Sequence, residues 1–167
     1  PMQSIALAST TFVGQNLGAK QYGRTRKGVR FGVACGIAMA ETYGIIAWLS
    51  APHLIRIFND APDVVEFGSR HMRTICLFYC LLAFSHCIAG ILRGAGKSTV
   101  PMITMLVCWC LIRVSYITIT ISFINRLEVV SWAYPLTWTC SGIVFLLYYL
   151  KADWIHGFEK ISAKRLS

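Results

Sequence analysis

Glu41, His86 and Arg113 each sit inside a long apolar run. An ionised side chain facing hydrocarbon at mid-depth costs roughly 2.5 kcal/mol or more. Such residues therefore turn towards protein or a water-filled path and mark functional positions by default. Glu41 is the midpoint of the run 31–51, and Arg113 lies one residue from the midpoint of 100–124. If both runs cross in the same direction, the two charges share a depth. The spacing predicts a Glu41–Arg113 pair, either a structural salt bridge or a polar site lining a substrate or ion path. His86 lies nearer one end of its run. It reads either as a hydrogen-bonded packing residue or as a member of a proton relay.

Register and spacing exclude other chemistries. The string Gly94-Ala95-Gly96-Lys97-Ser98-Thr99 is close to a phosphate-binding loop, but G-x-x-x-x-G-K-[ST] requires glycine at 91, where the chain has Ile91. Gly90 is one place out of register, and an apolar run precedes the string where the motif needs a strand. ATP binding is therefore not expected, and the string reads as a tight turn with Lys97 at the membrane surface. Cys35, Cys76, Cys80, Cys87, Cys108, Cys110 and Cys140 lie in apolar runs without metal-ligand spacing and read as small free hydrophobes. Neither a metal nor an organic cofactor is expected. An intramembrane enzyme would need a Ser/His pair or two facing acids. No such pair stands out, so the chain does not read as an enzyme. Gly32, Gly36 and Ala40 form a small-residue face on the first full run, suited to local helix packing.

The elements that must hold these residues follow from composition. Of 167 residues, 56% are hydrophobic and 14% charged, with a mean hydropathy of +0.58. A soluble domain carries about 25% charged residues. The apolar runs approach the ~20 residues that cross ~30 Å of hydrocarbon. They predict an all-α, polytopic membrane helix bundle with about four complete spans: 31–51, ending at Pro52; 74–92, lengthened by 66–73; 100–124; and 129–150, kinked at Pro135. Residues 2–13 are too short to span and read as the end of a preceding helix, so the chain reads as part of a longer protein. Residues 14–30 read as a Gly-rich basic loop, 93–99 and 125–128 as connectors, and Asp60 or Pro62 as the start of the second span. Residues 1–150 would then form the bundle and 151–167 a cytoplasmic tail.

The net charge of +9 does not point to nucleic acid, because the basic residues cluster in the gaps between runs. Eleven fall in 14–30, 93–99 and the tail, against four (Arg56, Arg70, Arg73 and Arg126) on the opposite side. The positive-inside rule places the first group, and the C-terminus, in the cytoplasm.

Three strings in order now carry a resemblance. Gly14-Gln15-Asn16-Leu17-Gly18-Ala19-Lys20 is followed by Tyr22 and Arg24; His53-Leu54-Ile55-Arg56-Ile57-Phe58 by Asp60 and Asp63-Val64; and Leu92-Arg93-Gly94-Ala95-Gly96-Lys97 by Pro101-Met102. This order resembles the multidrug and toxic compound extrusion (MATE) transporters, with Gly14, Gln15, Gly18, Arg93, Gly94 and Gly96 in the cytoplasmic loop motifs. The resemblance implies twelve helices in two halves, of which this chain would hold the end of the eighth and all of the ninth to twelfth. Its partners would be the lipid bilayer, the missing N-terminal half and a small-molecule substrate. It also implies a multi-pass protein of the cell membrane that exports cationic or amphipathic compounds in exchange for Na⁺ or H⁺. The region resembling the tenth helix, 74–92, lacks the acid often implicated there. A flippase for lipid-linked oligosaccharide, from the same superfamily, is the alternative, and a basic cavity would favour it.

Overall fold

The structure is a computed structural model that describes residues 2–124 and 128–154. Its helices are α1 (Met2–Gly18), α2 (Tyr22–Arg56), α3 (Pro62–Cys76), α4 (Tyr79–Gly94), α5 (Thr99–Met105), a π-helical segment (Leu106–Ile112), α6 (Arg113–Phe123) and α7 (Glu128–Lys151). α2, the continuous stretch from α5 through α6, and α7 are each long and apolar enough to cross a membrane, and α3 with α4, bent by 50°, adds a fourth if the pair is one span. Large apolar side chains such as Phe31, Leu111 and Ile119 are exposed on the outside of the bundle, where lipid tails would cover them. The protein is an all-α, multi-pass membrane helix bundle, as its composition predicts.

Three boundaries differ from expectation. The basic stretch 14–30 is helical except for a turn at 19–21. The α1 end is closed by Lys20 N–H to Leu17 O at 3.0 Å and Gln21 N–H to Asn16 O at 2.8 Å. This is a Schellman motif, and it holds Lys20 at φ 56°. The Leu92–Lys97 turn repeats it, with Lys97 N–H to Leu92 O at 2.8 Å and Gly96 at φ 76°. Gly14, Gln15 and Gly18 therefore lie in the last turns of a helix and not in a loop.

Second, α2 continues through Pro52. Proline removes one N–H and so frees the carbonyl four residues back. That carbonyl, Trp48 O, accepts from Arg73 Nε at 3.4 Å. Third, the expected continuous run 66–92 is broken at Leu77–Phe78, where α3 and α4 meet at a 50° bend. The segment 125–127 and the tail residues 155–167 lie outside the described residues. The first four tail residues are not free, because Trp154 is buried and stacks on Tyr149 with ring centroids 5.3 Å apart.

Close packing is densest where α1 meets α4. A Cβ added at Gly90 would overlap the Ala6 carbonyl, and one at Gly94 the Thr10 carbonyl. This Gly-x-x-x-Gly face lets the two backbones touch. Across the same contact the Thr10 hydroxyl lies 2.9 Å from Gly90 O. Gly36, from the small-residue face noted in the sequence, packs against Cys87 and Ile5, which bears out its local role. Val13, Leu17, Val29, Ile88, Ile91, Leu92 and Phe145 complete a core at the end of the bundle bearing the basic turns.

Glycine substitutions should separate these roles. Gly90→Ala should destabilise the protein by about 1–3 kcal/mol through overpacking. Gly18→Ala, with nothing within 4 Å of the new carbon, should gain about 0.5 kcal/mol from helix propensity. Lys20→Gly should gain about 1 kcal/mol by relieving the left-handed residue. Thermal unfolding in detergent measures all three, and equal effects of Gly90→Ala and Gly18→Ala would refute the α1–α4 contact.

Candidate functional site

Polar side chains converge where α4, the π-helical segment, α6 and α7 meet. Tyr134, Thr137, Trp138 and Ser141 are spaced by three or four residues on α7 and share one face. Trp109 and Arg113, four residues apart, present the opposing row. The Arg113 guanidinium donates to Thr137 Oγ1 at 2.8 Å. It also lies 4.5 Å from the Tyr134 ring centroid and 5.9 Å from that of Trp109. Each cation–π contact contributes about 0.5–2 kcal/mol, more as water is excluded. Arg113 Nε is buried and without a partner among the described residues.

Below Arg113 the seam continues as hydrogen bonds. Trp109 Nε1 donates to Ser141 Oγ at 3.2 Å, and the buried Ser85 and Ser141 hydroxyls lie 3.1 Å apart. His86 packs edge-on against Trp109, centroids 5.3 Å apart. Above, His71 Nδ1 and Ser131 Oγ are 2.7 Å apart, and the His71 ring meets Tyr134 edge-on at 6.1 Å. His86 and Arg113 are thus brought together through Trp109. The π geometry, which widens a helix by one residue per turn, occupies Leu106–Ile112 and carries Trp109 into this seam.

Glu41 is elsewhere. The expected Glu41–Arg113 pair does not form, and Arg70–Glu66 at 3.2 Å is the ion pair among the described residues. A shared depth, even where it holds, does not fix the face of the helix on which each side chain lies. Glu41 Oε1 instead accepts the Cys80 N–H at 2.8 Å. That amide belongs to the first turn of α4, where the break at Leu77–Phe78 leaves backbone N–H groups without helical partners. One turn along α2, Gly44 makes room for the end of α3, since a Cβ there would lie 2.8 Å from Cys76 O. Glu41, Gly44, Ile45, Trp48, Cys76 and Leu77 line a pocket of about 220 Å³.

The loop motifs also meet: a Cβ at Gly14 would lie 3.5 Å from Gly94 O. The seven cysteines are free thiols. Among the described residues no group of histidine, cysteine and acidic side chains is arranged to hold a metal ion. Sequence reasoning missed Tyr134, Thr137 and Ser141, whose helical spacing was a usable signal. It also missed the Cys80 amide, for which no residue type gives one.

The fold is thus a multi-pass helical membrane bundle with a bent helix pair, a carboxylate at the bend and a half-buried guanidinium in an aromatic seam. The MatE family model matches residues 1–119, and the chain belongs to that family. It is 34% identical over 110 residues to the probable multidrug resistance protein NorM of Thermotoga maritima, covering 65% of this chain and 24% of that protein. To the probable multidrug resistance protein YpnP of Bacillus subtilis it is 23% identical over 154 residues, covering 92% and 34%. The crystal structure of the eukaryotic MATE transporter AtDTX14 superposes with a TM-score of 0.83 at 17% identity, over 95% of this chain and 36% of that one. The chain therefore spans about a quarter to a third of the relatives it matches.

Because Glu41 and Arg113 have separate partners, their effects on stability should add. Glu41→Gln and Arg113→Met, alone and together, should give a coupling energy below about 0.5 kcal/mol in thermal unfolding of the purified protein. Rescue of one variant by the other would restore the pair.

Proposed function

We propose that this chain is the C-terminal part of a secondary antiporter of the cell membrane, which exports cationic or amphipathic drugs or toxic metabolites in exchange for Na⁺ or H⁺. The substrate would move by alternating access between this helix set and the N-terminal half. The turns at 19–21 and 93–99 and the C-terminal tail would face the cytoplasm, on the charge asymmetry of the connectors. The similarity to multidrug resistance proteins supports the efflux reading.

The observation that carries the coupling is the Glu41 carboxylate on the first turn of α4. A carboxylate can take either a proton or Na⁺. When ionised and free it makes a charge-assisted bond to Cys80 N–H and favours the positive end of the helix. Proton or Na⁺ binding weakens that bond and releases the bend between α3 and α4 towards a second angle. An ion gradient would thereby bias a two-state hinge. A second reading is a flippase for lipid-linked oligosaccharide. Arg113, with no acidic partner among the described residues, favours it through attraction for an anionic headgroup.

The test uses the full-length protein that contains this chain, in proteoliposomes loaded with a lipophilic cationic dye. Efflux should follow an imposed Na⁺ or H⁺ gradient without ATP. Glu41→Gln keeps an acceptor for Cys80 N–H and should fold, but lose that dependence with about a tenfold fall in rate, which is about 1.4 kcal/mol in the barrier. ATP-dependent efflux, or a Glu41→Gln protein with unchanged gradient dependence, would overturn the reading. For orientation, a Ser98→Cys variant in a cysteine-free background should resist impermeant thiol reagents added outside intact cells, and labelling from outside would reverse the topology.

A further inference from the structure

The end of the bundle opposite the basic turns carries a cleft of about 720 Å³ between the last turns of α2 and the body of α3. Arg56, Arg70 and Arg73 line it, with Asp60 and Glu66. Glu66 is taken by Arg70 at 3.2 Å. Arg56 and Arg73 have no carboxylate within ion-pair distance among the described residues, Asp60 included. Arg73 is held in place: Nε donates to the carbonyl that Pro52 frees, and the guanidinium lies 5.2 Å from the Trp48 ring centroid. Its remaining N–H groups are left for another acceptor. In the same wall Ser69 is 6% exposed, and its hydroxyl has no partner among the described residues. A buried, unmatched hydroxyl beside two unneutralised guanidinium groups calls for an oxyanion.

The cleft continues into apolar space. Trp48 and Leu77 line both it and the pocket of about 220 Å³ beneath, whose walls are otherwise Gly44, Ile45, Cys76 and Glu41, the last with its carboxylate engaged by Cys80 N–H. Ile45, Trp48 and Leu77 are exposed on the flank of this helix set, so both compartments open sideways onto an apolar face. By helix rise, Arg56 stands about 12 Å above Trp48, which is the distance from a headgroup to the upper part of an acyl chain. We propose that this cleft binds an anionic glycerophospholipid from the adjacent leaflet. The phosphate sits between Arg56 and Arg73 with Ser69 donating to it, and one chain descends past Trp48 and Leu77. A soluble phosphate would use the upper compartment alone and leave the lower one empty.

Native mass spectrometry of the full-length protein in detergent tests this, with phosphatidylglycerol, phosphatidylcholine of the same chains, and glycerol phosphate as probes. Phosphatidylglycerol should bind in preference to phosphatidylcholine, and glycerol phosphate should not displace it. Arg56→Gln and Arg73→Gln should each weaken it about fivefold, as expected for one basic residue at an anionic surface. Ser69→Ala should weaken it by a similar factor, as for one lost hydrogen bond. Arg56→Lys should retain the preference and controls for folding. Equal binding of the two lipids, an unchanged preference in Arg56→Gln/Arg73→Gln, or undiminished phosphatidylglycerol binding by Ser69→Ala would overturn the site. Displacement by glycerol phosphate would overturn the lipid and leave a site for soluble organic phosphates.

Discussion

Hydrocarbon offers no water to a backbone amide or carbonyl, so every interruption of a helix inside the membrane must find another partner. At Pro52, within α2, and at Leu77–Phe78, between α3 and α4, a side chain from a neighbouring helix supplies the missing partner. Arg73 reaches back to Trp48 O, and Glu41 reaches across to Cys80 N–H. These contacts tie α2 to α3 and to α4. They also place a cation and an anion where an apolar residue would otherwise stand. The charged residues of this part of the bundle are thus a consequence of its broken backbone.

The opposite end is built on the other solution, close contact without interruption. Gly90 and Gly94 bring α4 onto the backbone of α1, and the two ends turn in matching Schellman motifs. Glycine takes the left-handed position at Gly96, whereas Lys20 occupies the equivalent place in the first turn. Lysine gives up about 1 kcal/mol there while keeping a positive charge at the membrane surface. Rigid packing at this end and a bend towards the other leave α4 as a lever whose base is fixed.

Much of this was legible in the residues. Run length located the spans, since 100–124 and 129–150 fall within a residue or two of the observed helices. The strings around Gly14 and Leu92 located the turns. What failed did so for physical reasons. The break at Leu77–Phe78 lies in Ile75-Cys76-Leu77-Phe78-Tyr79, which contains neither proline nor glycine. What satisfies it is tertiary, the carboxylate of a residue 39 positions earlier in the chain. Pro52 was overvalued as a stop because its freed carbonyl has a distant donor. The Glu41–Arg113 pairing used depth without azimuth. The period of 109/113 against 134/137/138/141 held the azimuth, and it points Arg113 at α7.

Local compensation of Glu41 and of Arg113, in place of mutual pairing, has a mechanical consequence. A direct salt bridge would have tied α2 to α6, and any change of the bend between α3 and α4 would then have had to break it, at the cost of an uncompensated buried charge. As built, the Glu41 contact lies on the first turn of α4, while the Arg113 contacts lie on α6 and α7 beyond it. The two networks share no hydrogen bond, but the seam reaches α3 through His71 and α4 through Tyr79, Ser85 and His86. Both arms of the bend therefore rest on the α7 row, His71 through Ser131 and Tyr134 and Tyr79 through Trp138, so a change of angle also moves the walls around Arg113. Coupling between bend and seam then passes through these side chains as well as through α4, whose glycine contacts with α1 hold its far end.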